Sequence, residues 1–159
     1  MKNCLCLFVL ILCAMLCCGC AGNNAEAGDA KNGVLMNTMP AAGDNVSVKV
    51  EVYHFHGKNQ CVSCTTVGDF AEQTMSRYYL RELASGKMVF GHVNYELPEN
   101  KALAEKYGVT GSSLWIGTYV NGKFNKEEDV KVWYRIDNET AYLSYLKGVL
   151  DKRLTGDLT

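Results

Sequence analysis

Proline and long runs of like charge are both scarce in this 159-residue chain. Only two prolines occur, which excludes a proline-rich linker or repeat protein. Sixteen basic residues balance 17 acidic ones for a net charge of −1, and neither sign forms a stripe. A protein that binds nucleic acid through its charge carries a basic patch. With 48% hydrophobic residues, the composition therefore indicates one ordinary globular domain and no nucleic-acid partner.

Cysteine is also scarce once its positions are considered. Six of the eight cysteines fall within the first twenty residues, and only Cys61 and Cys64 lie beyond them. This distribution excludes the disulfide-dense scaffolds of small secreted proteins. The chain also lacks the G-x-G-x-x-G fingerprint of dinucleotide-binding folds. We therefore expect no flavin, nucleotide or metal cofactor, and any redox chemistry would depend on a disulfide between Cys61 and Cys64.

The chain divides into three parts by composition. Residues 1–19 have the features of a secretory signal peptide, because Lys2 precedes an apolar run over 5–16 that is shorter than the ~20 residues of a membrane span. Residues 20–45 are small and polar without an apolar period, so we expect a flexible tether. Residues 46–159 are sufficient for one core of ordinary size.

The end of the apolar run is L-C-C-G-C-A-G at positions 16–22, which resembles the lipobox of bacterial and archaeal lipoproteins. The resemblance implies an exported protein anchored through a lipid on Cys20 to the extracytoplasmic face of a membrane. Cys17 stands where that motif usually has leucine. The alternative is an ordinary signal-peptidase cleavage after Gly22 or Ala27. Export into an oxidising space would permit a disulfide in the domain.

The domain begins with a strict alternation of apolar and polar residues over 46–55, which predicts a half-buried strand. Val46, Val48, Val50 and Val52 share one face, and the same period continues to His54 and His56. A histidine on such a face is more often a core residue with satisfied hydrogen bonds than a ligand.

The remaining segments predict alternating helices and strands. Helical spacing over 69–85 is ended by Gly86. The later elements are a strand at 88–95, a helix at 99–107 between Pro98 and Gly108, a strand at 114–120, an Asn121-Gly122 hairpin, a strand at 130–136 and an amphipathic helix over 142–150 capped by Asp137 or Asn138. This order predicts an α/β fold, a βαβ unit followed by a hairpin and a final helix.

Cys61 and Cys64 form a C-x-x-C between the end of a strand and the start of a helix. The helix N-terminus presents unpaired N–H groups and a partial positive charge, which stabilise a thiolate on the first cysteine. Only the thiolate attacks a disulfide. We therefore expect Cys61 to be the nucleophile and Cys64, one turn inside the helix, to be the resolving thiol.

Two other interpretations of the cysteine pair stay open at this point. A structural disulfide is one, although so short a loop constrains the unfolded chain little. A site for a soft metal or trivalent arsenical is the other, with Cys61, Cys64 and His56 as ligands. His56 lies nearer the cysteines than His54 in sequence and is the better proton partner for Cys61, because histidine titrates near neutral pH.

The strand, the C-x-x-C, the following helix and the stretch K-Y-G-V-T-G-S-S-L at 106–114 together resemble a thioredoxin-like fold over 46–154. The resemblance implies a three-layer sandwich, with a mixed central sheet flanked by helices. It places Ser113 where thioredoxins have a cis-proline, with a trans bond expected because a cis bond before a non-proline is costly. It also places His54 where they have a buried acid beneath the second cysteine.

The Y-H-F-H-G of positions 53–57, followed by C-V-S-C, is also similar to the small exported family named for the nitrophenyl compound nitroreductase subunit ArsF. That resemblance implies a membrane-tethered thiol relay for nitroaromatic or organoarsenical reduction, with an integral-membrane electron donor and a partner reductase. Tyr119, Phe124, Trp133 and Tyr134 could line an aromatic site, although such residues are more often core. A dithiol that binds soft metal, or an interaction domain with a structural disulfide, are the alternative functions.

Overall fold

The computed structural model describes residues 46–159, which form a four-stranded mixed sheet with helices on both faces. The predicted signal peptide, the predicted tether and the predicted lipid anchor Cys20 lie outside the described residues. The elements in chain order are β1 (Val48–His56), α1 (Val62–Tyr78), α2 (Leu80–Ala84), β2 (Met88–Asn94), a 3₁₀ turn (Pro98–Asn100), α3 (Lys101–Tyr107), β3 (Ser113–Val120), β4 (Lys123–Glu128), a 3₁₀ helix (Val130–Arg135) and α4 (Glu139–Leu154). No helix of this part of the chain is long and apolar enough to cross a membrane.

The sheet has the order β2-β1-β3-β4, with β1 in an interior position. β2 runs parallel to β1, while β3 runs antiparallel to β1 and to β4. Parallel neighbours need a long crossover, which α1 and α2 supply. The β3–β4 hairpin turns at Asn121 and Gly122, whose φ values of 50° and 79° suit a tight turn between twisted strands. The predicted α/β class and the order of its βαβ unit and hairpin are confirmed.

The alternation along β1 determines which side chains meet which helices. Val50 and Val52 have no exposed surface and pack in a core with residues of α1 and α4. Phe55 points to the opposite face, where it packs in a second cluster with Tyr107 of α3. The predicted face of β1 is therefore confirmed, and it leads directly from the core to His54 at the end of the strand.

Two local predictions are wrong. Residues 130–136 form a 3₁₀ helix instead of a strand, because the Asp129 side chain caps it by accepting from the Lys131 N–H. Only Val132 of this segment is fully buried, and Tyr134 is 82% exposed. The predicted helix over 69–85 begins earlier, directly after Cys61, and is interrupted at Tyr79.

The interruption at Tyr79 has a physical cause in the core. Its backbone leaves helical geometry at φ −126° and ψ 23°, and its ring is 3% exposed. The hydroxyl donates to the Lys147 carbonyl and the Asp151 carboxylate of α4, both at 2.9 Å. Helical spacing alone does not contain this long-range anchor. At α4 the predicted cap is present, since Asn138 accepts from the Ala141 N–H.

Candidate functional site

Cys61 occupies the N-cap position of α1, at the point where the chain leaves β1. Its extended backbone, with φ −79° and ψ 164°, directs the sulfur back over the first turn of the helix. There the sulfur accepts the Cys64 backbone N–H at 3.2 Å. Side-chain capping usually falls to the oxygen of Ser, Thr, Asp or Asn. Here a thiol takes that role and is thereby brought to the positive end of the helix dipole.

The surroundings of Cys61 lower the pKa of its thiol. The main cause is a hydrogen bond from the Cys64 side chain, followed by backbone N–H groups of Cys64, Cys61 itself and Ser63. Each of these donors favours the thiolate over the neutral thiol. The residue is exposed, whereas Cys64 is half-buried, and both are free thiols. This asymmetry suits an accessible nucleophile beside a shielded resolving thiol.

His54 lies under α1 and is 1% exposed. The helix carries Gly68 at the contact, and a Cβ there would stand only 2.3 Å from His54 Nδ1. Glycine in a helix interior costs about 1 kcal/mol relative to alanine. Its presence at this contact is explained by the imidazole, which requires the space that any side chain would fill. Gly68 follows Cys64 by one helical turn, so the ring contacts α1 one turn beyond the C-x-x-C.

Burial lowers the pKa of His54 to about 4, with His92 and His56 acting in the same direction. The ring is therefore neutral at neutral pH. Its Nδ1 lies 3.0 Å from the Nδ1 of His92, which faces it from β2 in the parallel register. Its Nε2 is buried and has no hydrogen-bond partner among residues 46–159. The expectation of a fully satisfied core histidine is thus only half correct.

His92 is the residue that the sequence analysis did not identify. It lies on the edge strand β2, with its side chain 35% exposed and its Nε2 3.5 Å from Glu72 Oε2 of α1. His54 and His92 pair across the β1–β2 ladder. Alternation along 88–95 places His92 on one face of its strand, but only the register between the strands brings it to His54.

His56 stacks on His54, with ring centroids 5.5 Å apart and an interplanar angle of 27°. Its Nδ1 lies 2.9 Å from the Gly57 carbonyl oxygen. A carbonyl only accepts, so Nδ1 carries the hydrogen and Nε2 of the neutral ring is free to accept a proton. The predicted role of His56 as proton partner of Cys61 remains a prediction.

Ser113 begins β3 opposite Phe55, and the peptide bond before it is trans as expected. The hydroxyl is 3% exposed and donates to the Gly111 carbonyl at 3.0 Å, while accepting from Trp115 Nε1 at 2.9 Å. Both of its hydrogen-bonding functions are therefore used in holding the loop before β3. Its contribution to thiol chemistry stays a prediction.

Within residues 46–159, no three His, Cys, Asp or Glu side chains are arranged as ligands of one metal ion. The four aromatic residues considered as a substrate site are also separated. Tyr119 and Phe124 pack together on the α3 side, whereas Trp133 packs against the core on the α4 side and Tyr134 is exposed. Among residues 46–159 the four side chains therefore form no common site, and the favoured interpretation as core residues holds for Phe124 and Trp133.

No family model and no curated protein matches this chain. A solved structure described as "Structure of a malarial protein" is similar over 50% of this chain and 80% of its own, with 22% identity and a TM-score of 0.35. At that TM-score the likeness is too weak to support a conclusion on fold or function.

Proposed function

We propose that this protein is a thiol–disulfide redox protein of thioredoxin-like fold, in which Cys61 and Cys64 cycle between dithiol and disulfide. The observation that carries the proposal is the position of the Cys61 sulfur as the N-cap of α1, 3.2 Å from the Cys64 N–H. A merely structural disulfide gains nothing from a stabilised thiolate. A nucleophile does, because the thiolate fraction limits its rate of attack.

The chemistry follows from the exposure of the two thiols. The exposed Cys61 thiolate attacks a disulfide of a partner and expels one of its sulfurs as a thiolate. Cys64 then attacks Cys61 of the mixed disulfide, forms the internal disulfide and expels the second sulfur of the partner. The two cysteines lose two electrons, which the partner disulfide gains. A membrane donor, running the same steps in reverse, would restore the dithiol.

The lipid anchor on Cys20 and the extracytoplasmic location belong to the same proposal and rest on the lipobox resemblance. The end use implied by the family resemblance is reduction of nitroaromatic or organoarsenical compounds within a reductase complex. Binding of a soft metal or arsenical by the dithiol is the alternative prediction, and no contact among residues 46–159 favours it over exchange.

Equilibration of the full-length protein in glutathione redox buffers tests the proposal. Trapped thiols are located by mass spectrometry of the peptide that contains Cys61 and Cys64, so the cysteines before residue 21 do not contribute to the signal. We expect a reduction potential between about −270 and −120 mV, the range of dithiol oxidoreductases. Cys61→Ser and Cys64→Ser are the matched controls, and neither should form the internal disulfide.

A potential below about −300 mV would contradict the proposal, because glutathione could not open such a disulfide. Thiols that stay protected without forming a disulfide would also contradict it and would favour a bound metal. Addition of arsenite or zinc to the reduced protein distinguishes this case, since binding to the dithiol raises the melting temperature.

A further inference from the structure

A cavity of about 670 Å³ lies along α4, and the cysteine pair is not part of its wall. Its lining residues all fall within 127–159. α4 contributes two adjacent rows of side chains to the wall, Ser144, Gly148 and Lys152 in one row and Tyr145, Val149 and Arg153 in the other. From the first to the last of these residues the helix rises about 14 Å. Sites for small molecules have volumes between about 300 and 1,000 Å³, so the cavity is large enough for one.

Asp129 lines this cavity and has one carboxylate oxygen without a partner. The residue is 7% exposed. Its Oδ1 accepts from the Lys131 N–H at 3.1 Å and from the Tyr145 hydroxyl at 2.8 Å. Its Oδ2 is buried and has no hydrogen-bond partner among residues 46–159. Serine or asparagine would cap the 3₁₀ helix with a single oxygen, so the cap does not explain the second oxygen of the carboxylate.

Asp129 also lacks a countercharge, unlike the other buried charge of the cavity. Arg153 is 6% exposed and pairs with Glu127, with Nη2 donating to Oε2 at 3.0 Å. None of the ion pairs in the described part of the chain includes Asp129. Burial raises the pKa of the Asp129 carboxyl, although the hydrogen bonds from Tyr145 and Lys131 oppose this change. A cationic donor at Oδ2 would supply both the missing hydrogen bond and the missing countercharge.

The middle of the cavity is apolar and open. Val149 lies one helical turn from Tyr145 and one from Arg153. Beside it, a Cβ added at Gly148 would meet no atom of the described residues within 4 Å beyond its own stretch of helix. Two further apolar lining residues remain in contact with water, since Val130 is 51% and Leu158 46% exposed. A ligand with an apolar body would remove this surface from water.

We propose that the cavity binds a small organic cation, a protonated amine carried on an apolar body. The ammonium group donates to Asp129 Oδ2, and the body lies along Val149 and Gly148 toward Leu158. Because Oδ2 is shielded from water in this structure, binding requires a small movement of the side chains that cover it. No cysteine takes part, so the site is a second function beside the proposed thiol exchange.

The exposed charges of the wall do not favour an anion over this cation. Lys131 and Lys152 line the cavity, but both are exposed, as is Glu128. Long lysine side chains keep their ammonium groups in water, and salt screens exposed charges. The unpartnered atom is an acceptor in a buried position, where an interaction with a charge is screened much less. The buried oxygen therefore determines the sign of the ligand charge.

Isothermal titration calorimetry of the full-length protein with three matched indoles at pH 7 tests the proposal. Tryptamine carries an ammonium group, tryptophol a hydroxyl and indole-3-propionate a carboxylate on the same indole and two-carbon arm. We expect tryptamine to bind about tenfold more tightly than either of the others, because a hydrogen bond that involves charged groups is stronger than a neutral one. Equal affinities, tighter binding of indole-3-propionate, or no binding of tryptamine would overturn the proposal.

Asp129→Asn locates the ammonium group. Asparagine keeps an oxygen that accepts from the Lys131 N–H and the Tyr145 hydroxyl, but it has no charge. The affinity for tryptamine should fall about tenfold while that for tryptophol stays the same. Asp137→Asn is the matched control, since Asp137 is exposed and does not line the cavity. Wild-type affinity for tryptamine in a folded Asp129→Asn variant would contradict the assigned contact.

Gly148→Leu tests the cavity without altering the carboxylate. Leucine has a higher helix propensity than glycine, and its side chain enters the open space, so this variant should fold even if Asp129→Asn does not. We expect it to abolish tryptamine binding. Ala141→Leu adds a side chain of the same size at an exposed position of α4 outside the cavity and should bind like the wild type. Unchanged binding in Gly148→Leu would place tryptamine elsewhere and overturn the proposal.

Discussion

Glu51 and His54 lie three residues apart on β1, on opposite faces of the sheet, and only 7% and 1% of their surfaces are exposed. Glu51 is surrounded by donors. Its Oε2 accepts from Lys106 Nζ at 2.9 Å and the Tyr107 hydroxyl at 3.0 Å, while its Oε1 accepts from Lys49 Nζ at 3.1 Å. Within the part of the chain that the structure describes, His54 has one hydrogen-bond partner at Nδ1 and none at Nε2.

The different surroundings of Glu51 and His54 also change their pKa values for different reasons. Burial alone would raise the pKa of Glu51, but the hydrogen bonds from Lys106, Lys49 and Tyr107 together outweigh it and the pKa is lowered. At His54 burial is the largest cause, and His92 and His56 add to it, so the opposing backbone hydrogen bond of Cys64 does not prevent the pKa from falling to about 4. A buried group with every partner present contributes to stability, whereas a group with a partner missing is costly to keep buried. The two faces of one strand thus separate a structural cluster from a candidate functional one.

Removal of Glu51 is expected to have the largest effect on stability. Glu51→Leu leaves the Tyr107 hydroxyl without its acceptor and Lys106 without its countercharge. We expect the free energy of unfolding to fall by about 2–3 kcal/mol, mainly through the unsatisfied Tyr107 hydroxyl, because the Lys106 side chain is 35% exposed and water can solvate its charge. Urea unfolding followed by circular dichroism measures this loss.

Glu105→Leu on α3 is the matched control, since Glu105 is exposed and reaches only Lys101 at 3.9 Å. Its effect should stay within about 0.5 kcal/mol. Equal losses in the two variants would mean that the contacts of Glu51 contribute nothing beyond a surface pair. Thiol exchange at Cys61 should be unchanged by the removal of Glu51, because the cluster lies on the other face of the sheet.

His54 is expected to make stability depend on pH between about 6.5, its ordinary pKa, and about 4, its pKa in the fold. As the pH falls through this window the unfolded chain binds a proton that the folded chain does not. The contribution of neutral His54 is therefore complete above pH 6.5 and is lost toward pH 4, by up to about 3 kcal/mol. Urea midpoints at several pH values measure the slope, and His54→Gln should reduce it. An unchanged slope in that variant would assign the pH dependence to other groups.

Alanine substitutions at two glycines inside helices should have smaller effects on stability, and the two effects should be opposite. Gly148 in α4 has no atom within 4 Å of an added Cβ, whereas at Gly68 the Cβ would meet His54 at 2.3 Å. Gly148→Ala should stabilise the protein by up to about 1 kcal/mol through helix propensity. Gly68→Ala should destabilise it by about 1–2 kcal/mol, because overpacking outweighs the same gain. Thermal unfolding of both variants measures these changes, and the melting temperature should rise for Gly148→Ala and fall for Gly68→Ala.

The cause of the Gly68 effect can be isolated by a double-mutant cycle. In a His54→Ala background the ring is absent, so Gly68→Ala should lose its penalty and approach the behaviour of Gly148→Ala. A penalty that persists without the ring would show that another neighbour restricts position 68.

The sequence predicts the parts of the fold that depend on local spacing. The alternation of β1, the hairpin at Asn121-Gly122, the end of α3 at Gly108 and the cap at Asn138 are all encoded within a few residues. The position of the two cysteines at the start of α1 is local as well, so the sequence alone predicts that the helix N-terminus acts on Cys61.

The parts that the sequence analysis did not predict depend on residues far apart along the chain. The contact of His92 with His54 requires the β1–β2 register, which periodicity within one strand does not determine. Glu51 alternates with valines as a solvent-facing residue would, and only the approach of Lys106 and Tyr107 from α3 makes it a buried cluster. The break at Tyr79 depends in the same way on α4.

The alignment of His54 with His92 depends on the parallel register of β1 and β2, and therefore on the length of the chain that connects the two strands. His54 meets His92 in the same ladder that aligns Val50 with Met88 in the core. Loss of a single residue between α2 and β2 would shift this alignment and turn every β2 side chain to the other face. Insertions and deletions in that connection would therefore disrupt the core and the imidazole contact together. The number of residues in this exposed turn is thus constrained, and so is the identity of Gly86 within it, because its φ of 74° lies in the left-handed region that favours glycine.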